Sequence, residues 1–230
     1  MTRAPADVVA ALRELADVSR ETVERLEIYV DRLLDWQPRV NLVGASTLPD
    51  VWRRHVLDSA QVMPLIRPQS SRLVDLGSGA GLPGLVLAIL GARGVELIEA
   101  DARKASFLAE AAGVTGAGVI VRNERIEDLR GPQADTVTAR ALAPLPGLLE
   151  FARPFGHAGT RCILLKGARY EAELTNAYKM WKMTVDVVPS ITDKHGRILV
   201  IEGLSHVARN AASDGTTARP RHRQPKGRRR

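Results

Sequence analysis

Apolar positions over residues 1–70 recur at helical spacing. From Arg20 to Trp36, the residues Val23, Leu26, Val30, Leu33 and Leu34 approach the i, i+3, i+4, i+7 stripe of an amphipathic helix. Ser19 is placed to cap its start and Pro38 to stop it. A second helix is predicted over about residues 51–63, opening at Asp50. The polar stretch 41–49 between them reads as a loop.

After Arg72 the period changes. Short β-branched runs predict strands at residues 72–76, 95–99, 118–121, 136–139, 161–165, 184–188 and 197–201. Helical segments at 82–90, 102–112 and 144–155, with a short turn near 126–129, separate the first five. This alternation predicts a parallel sheet covered on both faces. Only residues 189–196 part the last two strands, so these pair antiparallel. The expectation is a doubly wound, seven-stranded α/β sheet with an antiparallel last pair. A helical cap over 1–70 precedes the sheet domain (71–206), and a tail follows (207–230).

The densest motif is Leu73-Val-Asp75-Leu-Gly77-Ser-Gly79-Ala-Gly81-Leu-Pro-Gly84, between the first strand and its helix. A bare strand-to-helix turn needs one glycine; four suit a nucleotide-type ligand at a strand's carboxyl end. Two frames overlap here. Gly79-Ala-Gly81-Leu-Pro-Gly84 fits the dinucleotide pattern, with Glu99 twenty positions on to bind a ribose. Asp75-x-Gly77-x-Gly79-x-Gly81 fits the loop of S-adenosylmethionine enzymes. Charge favours the second frame. A carboxylate at Asp75 repels a pyrophosphate and attracts a sulfonium and an ammonium. A dinucleotide fold would also continue into a second parallel half rather than a hairpin. Glu99 then accepts the cofactor ribose hydroxyls, and Ile126 and Glu127 flank its adenine.

Charge and composition narrow the partners. The net charge is +7, but eight of the 33 basic residues and one of the 26 acids fall in Val207–Arg230, leaving 25 of each elsewhere. The excess therefore sits in a tail poor in apolar residues, which reads as a disordered basic arm attracted to phosphate. No apolar run reaches membrane-spanning length and no export signal is visible, which predicts a cytoplasmic protein. Cys162 is the only cysteine and falls within an apolar strand, where it reads as core. The scattered histidines offer no metal cluster, so no metal is expected.

The predicted fourth strand ends at Arg140, where a substrate meets the donor. The Asn/Asp-Pro-Pro-aromatic tetrad of amino-group methylation is absent, as is a cysteine placed for pyrimidine carbon-5 chemistry. An arginine can hold a phosphate or a guanine edge. Its alternative is an ion pair with Asp75 or Glu99. Guanine N7 carries a free lone pair and needs alignment more than a base.

These stretches resemble the bacterial small-subunit ribosomal RNA methyltransferase G family, also called glucose-inhibited division protein B. The resemblance rests on Asn41-Leu-Val, Arg54-His-Val-Leu-Asp-Ser59, the glycine loop, Leu97-Ile-Glu99, Lys104 with Phe107-Leu, Arg125-Ile-Glu127, Arg140-Ala, Leu165-Lys-Gly167 and Gly196-Arg-Ile-Leu-Val-Ile201. The Arg-His-x-x-Asp-Ser run is the most particular of them. It implies a class I methyltransferase fold, S-adenosylmethionine as donor and N7 methylation of one guanine in 16S rRNA of the small ribosomal subunit. Cofactor contacts are implied at Gly77, Leu82, Ile126, Glu127 and Arg140, beside Asp75, Gly79 and Glu99. Arg125, Lys166 and Arg197 are implied to face RNA, with Arg140 aligning donor and base; a monomer is expected. His55 is expected to pack or hydrogen-bond within the helical cap rather than to act as a base. Glu202 stands where the family pattern suggests a basic residue. An NAD-dependent oxidoreductase, a noncatalytic RNA-binding protein and a small-molecule methyltransferase are the competing readings.

Overall fold

A computed structural model describes residues 2–129, 131 and 133–207. The tail expected over 207–230 lies, beyond Val207, outside the described residues. At the N-terminal end, α1 (Ala6–Leu15) precedes α2 (Arg20–Trp36), which is the expected helix capped by the Ser19 side chain. The stretch read as a loop contains a 3-10 turn, Ala45–Asp50. The helix expected over 51–63 begins instead as a π-helical turn, Trp52–Leu57, and passes into α3 (Asp58–Ala60). The wider turn changes the angular spacing of side chains, a device often found at functional sites.

From Leu73 onward the order is β1 (Leu73–Leu76), α4 (Gly84–Ile89), β2 (Val95–Ile98), α5 (Ala102–Thr115), β3 (Val119–Arg122) and β4 (Thr136–Arg140). Then follow α6 (Leu145–Ala152), β5 (Arg161–Lys166), α7 (Tyr170–Ala177), β6 (Trp181–Pro189) and β7 (Arg197–His206). The strands lie in one sheet, ordered β3-β2-β1-β4-β5-β7-β6. Its first five are parallel, and β7 runs antiparallel to both β5 and β6. The expected architecture is therefore the observed one. The order reverses between β1 and β4, and ligands of such sheets bind beyond the carboxyl ends at that point.

Three features escaped the local pattern. Helix α7 has a poor apolar stripe, and of its residues only Ala177 is buried. β6 begins at Trp181, whose indole stacks on His206 at the far end of β7. Glu202 on β7 bonds Arg67 and Arg161, both at 2.7 Å, so its acid serves the fold.

Every residue of α4 is buried, which explains its unbroken apolar sequence. The sheet covers one side and the cap the other. α2 reaches α5 through Tyr29 and Trp36, both in contact with the Phe107 ring. The Tyr29 hydroxyl donates to the Ala80 carbonyl at 2.7 Å, tying the cap to the glycine loop. One apolar cluster accordingly runs from Val8 in α1 to Ile198 in β7.

Candidate active site

The glycine loop leaves β1 at Gly77 and re-enters helix at Gly84. Each end meets a different steric demand. At Gly84 a Cβ would lie 2.5 Å from Leu97 Cδ2 and 2.7 Å from Asp75 Cβ, so α4 sits directly on the sheet. At Gly79, φ is +56° and a Cβ would meet only the Gly77 carbonyl, at 3.8 Å. Its outer face is open to a ligand. The Gly79 amide donates to Glu99 Oε2 and the Asp101 amide to Glu99 Oε1, both at 2.8 Å. Glu99 is thereby fixed at the tip of β2 with its carboxylate toward the loop.

A cavity of about 320 Å³ opens there, lined by Gly77, Gly79, Glu99, Lys104, Arg125, Ile126, Glu127 and Arg140. Asp75 and Leu82 do not line it. Asp75 is fully buried behind the loop, its Oδ1 accepting from Thr138 Oγ1 at 2.7 Å across the β1–β4 register. Burial pushes its carboxyl up to about 6, opposed first by the Thr138 bond. Leu82 is buried in the core beneath the loop.

Arg140 ends β4 and faces a second, larger cavity of about 840 Å³ as well as the first. Ala141 follows with φ of +53°, a left-handed conformation costly for a residue with a Cβ. The guanidinium pairs with neither Asp75 nor Glu99. It donates to Asp58 Oδ2 at 3.2 Å, the Arg54 carbonyl at 3.2 Å and His55 Nδ1 at 3.1 Å. All three acceptors come from the Arg54–Ser59 run. The π turn thus brings a carbonyl and an imidazole, and the first residue of α3 a carboxylate, to one guanidinium.

His55 is held between two partners. Because Arg140 can only donate, Nδ1 accepts and Nε2 carries the proton, which goes to Thr47 Oγ1 at 2.7 Å. Thr47 in turn donates to the Gly44 carbonyl at 2.6 Å. Burial first, then the charges of Arg140 and Arg54, lower the imidazole to about 4. The ring is neutral at physiological pH. Asp58, Gln61 and Thr192 complete this network; the Arg-His-x-x-Asp-Ser run signals Asp58, and nothing in the sequence marks Gln61 or Thr192.

The cations expected to face RNA differ among themselves. The Lys166 side chain is only 7% exposed, its ammonium on Glu173 at 2.6 Å and the Ala143 carbonyl at 2.9 Å. Arg197 lines the larger cavity with its guanidinium over the Tyr170 ring, 5.4 Å from the centroid. Arg125 is exposed, 3.6 Å from Glu127, on the rim of the smaller cavity. Arg169, beside Arg197 in the larger cavity, is exposed and makes no ion pair among the described residues. Cys162 is buried and its thiol is pushed up to about 12, a core position. Among the described residues no group of His, Cys, Asp and Glu is arranged for a metal ion, and no helix is long and apolar enough to cross a membrane.

A carboxylate fixed at the end of β2 suits the paired hydroxyls of a ribose, Ile126 offers an apolar flank for an adenine, and Gly79 admits a close approach. These residues fit S-adenosylmethionine. Together with a sheet closed by an antiparallel pair, they define a class I S-adenosylmethionine-dependent methyltransferase. The fold is shared with a ribosomal protein L11 methylase from Lactobacillus delbrueckii subsp. bulgaricus, with a TM-score of 0.54 at 13% identity over 65% of this chain and 78% of that one. It is shared equally with a point mutant of MtNAS in complex with S-adenosylmethionine, at 0.54 and 20% over 77% and 71%. The chain belongs to the rRNA small subunit methyltransferase G family, whose model matches residues 22–201. A ribosomal RNA small subunit methyltransferase G from Paramagnetospirillum magneticum is 54% identical over 82% of this chain and 92% of its own length. Its counterpart from Rhodospirillum rubrum is 53% identical over 80% and 92%.

Proposed function

We propose that this chain transfers a methyl group from S-adenosylmethionine to N7 of one guanine in 16S rRNA of the small ribosomal subunit, acting as a cytoplasmic monomer. One observation carries the choice of nucleophile. Every acid and imidazole lining the larger cavity already holds a donor. His55 is bound at both nitrogens, Asp58 holds Arg140, Glu173 holds Lys166 and the Leu145 amide, and Asp193 holds the His195 amide. A site without a spare base suits a nucleophile that has no proton to lose, and guanine N7 is one.

The cofactor supplies an electrophilic methyl group when bound. Glu99 holds the ribose, Gly77 and Gly79 let it approach the loop, and Ile126 and Glu127 border the base. Asp75 and Leu82 support this loop from behind. Arg140, where the two cavities meet, orients the guanine or its phosphate, and its three acceptors restrain it there. Arg125, Arg169 and Arg197 face the RNA backbone, and the basic tail adds attraction that is independent of sequence.

The test is transfer of labelled methyl to small ribosomal subunits from a strain lacking this gene, with the product mapped by digestion and mass spectrometry. One 7-methylguanosine at a single position is expected. Label on another atom, or none from a protein that binds the donor, overturns the proposal.

A further inference from the structure

The loop between β6 and β7 is stitched to α3, at Asp58 and at Gln61 just past its end, by a chain of polar contacts that the reaction itself does not explain. Thr192 Oγ1 donates to Asp58 Oδ1 at 2.5 Å, while Asp58 Oδ2 takes Arg140 at 3.2 Å. Gln61 Nε2 also reaches Asp58 Oδ1, at 2.9 Å, and its Oε1 accepts the Ile191 amide at 2.9 Å. Ser190 Oγ lies 3.0 Å from Thr192 Oγ1 and receives the Thr192 and Asp193 amides. Ser190 and Asp193 line the larger cavity, and Ile191 is 59% exposed at the turn of the loop.

A carboxylate bound on one oxygen alone can rotate about its terminal torsion, which is broad and soft. Asp58 is bound on both. Thr192 and Gln61 clamp Oδ1, which sets the direction in which Oδ2 meets Arg140. The Thr192 hydroxyl thus stands at one end of a line, Thr192–Asp58–Arg140, whose other end is the group at the junction of the two cavities. Of the two donors on Oδ1, Thr192 alone comes from the loop that faces the substrate side.

We infer that Thr192 is a positioning residue: through Asp58 it holds the Arg140 guanidinium in its working direction, so the β6–β7 loop must rest on the cap for methyl transfer to proceed. The inference rests on the reading of Arg140 as the group that aligns the reacting partners. It also makes the loop a place where docked RNA is felt at the site, since the loop's exposed turn and its clamp are adjacent.

Thr192→Val removes the hydroxyl at constant volume. The variant is expected to lose roughly tenfold or more in kcat. KM for small subunits and affinity for S-adenosylhomocysteine stay within about twofold, as an alignment defect requires. Thr192→Ser, which restores the donor, is expected to recover most of kcat. In an Arg140→Lys background Thr192→Val adds little, because residues acting through one group are not additive. A second readout is independent of turnover. Nitrogen-15 spectra of the Arg140 side chain report rotation of the guanidinium, slow in the wild type and faster in Thr192→Val. Thr192→Ala, which also lacks the donor, replaces the valine variant if that one does not fold. Unchanged kcat together with unchanged guanidinium rotation, or full additivity with Arg140→Lys, overturns the inference. If the wild type methylates no small subunit, the substrate reading fails and the spectra alone decide this one.

Discussion

Arg140 donates to His55 Nδ1 at 3.1 Å, and this contact sets the tautomer of the ring. The imidazole is an acceptor here, wedged between a guanidinium and the Thr47 hydroxyl. The pair belongs to a cage of three acceptors on one cation, and the chemistry of the site depends on that cage keeping its shape.

Arg140→Lys tests the cage directly. An ammonium cannot reproduce the flat fork that spans a carbonyl, an imidazole and a carboxylate. Affinity for S-adenosylhomocysteine, read by calorimetry, is expected to fall no more than about threefold, while kcat falls by roughly a hundredfold. Near-normal turnover would sink the alignment role.

Stability against pH separates two buried groups that titrate in opposite senses. Asp75 is raised from 3.8 to about 6, so the folded state binds more protons there and stability is lost as pH rises from about 4 to about 6. His55 is lowered from 6.5 to about 4, so its contribution is present above 6.5 and lost as pH falls toward 4. Denaturant titrations at several pH values read both. The stability of Asp75→Asn relative to wild type is expected to rise between pH 4 and 6, and that of His55→Asn to fall between pH 4 and 6.5. Flat differences would remove both assignments.

Two glycines of one loop are expected to fail differently. Gly84→Ala places a methyl 2.5 Å from Leu97 Cδ2, and overpacking of this kind costs about 1–3 kcal/mol. It should appear as a lower melting temperature. Gly79→Ala meets only the Gly77 carbonyl, at 3.8 Å, but carries a φ of +56°, costing about 1 kcal/mol, and it narrows the approach to the loop. Its main effect is expected in weaker S-adenosylhomocysteine binding. Equal losses of binding in both variants would refute the division of labour.

The salt dependence of RNA binding distinguishes the cations. Each phosphate contact removed lowers the slope of log K against log salt by about 0.7 to 0.9. Arg197→Ala is expected to show such a drop. Lys166→Ala is expected to leave the slope in place and lower stability, because its ammonium is spent on Glu173 and the Ala143 carbonyl.

Deleting residues 208–230 removes eight basic residues and one acid, and the slope is expected to flatten further while S-adenosylhomocysteine affinity holds. An unchanged slope would make the arm a bystander. Filter binding at four salt concentrations is sufficient for all three proteins.

Much of this protein is legible in its sequence. Strand after strand fell within a few residues of its predicted place, because β-branched runs bounded by turn residues are local signals. The glycine loop and Glu99 announced themselves by spacing within one βαβ unit, and the hairpin of β6 and β7 by the shortness of its connection. Helix α7 was missed because, apart from Ala177, its residues are not buried, so burial left no stripe to read.

What the tertiary structure alone decided lies in pairs distant along the chain. Arg140 and Asp58 are 82 positions apart, and Thr192 and Asp58 are 134 apart. No periodicity links such residues; they meet because the cap folds over the carboxyl ends of the strands. The same packing drew Lys166 inward onto Glu173 and set Asp75 behind its loop. Local sequence determines which elements form and which loop can cradle a ligand, since backbone conformation and burial period are short-range properties. Whether a charge is free to act or already paired depends on neighbours that only the assembled core supplies.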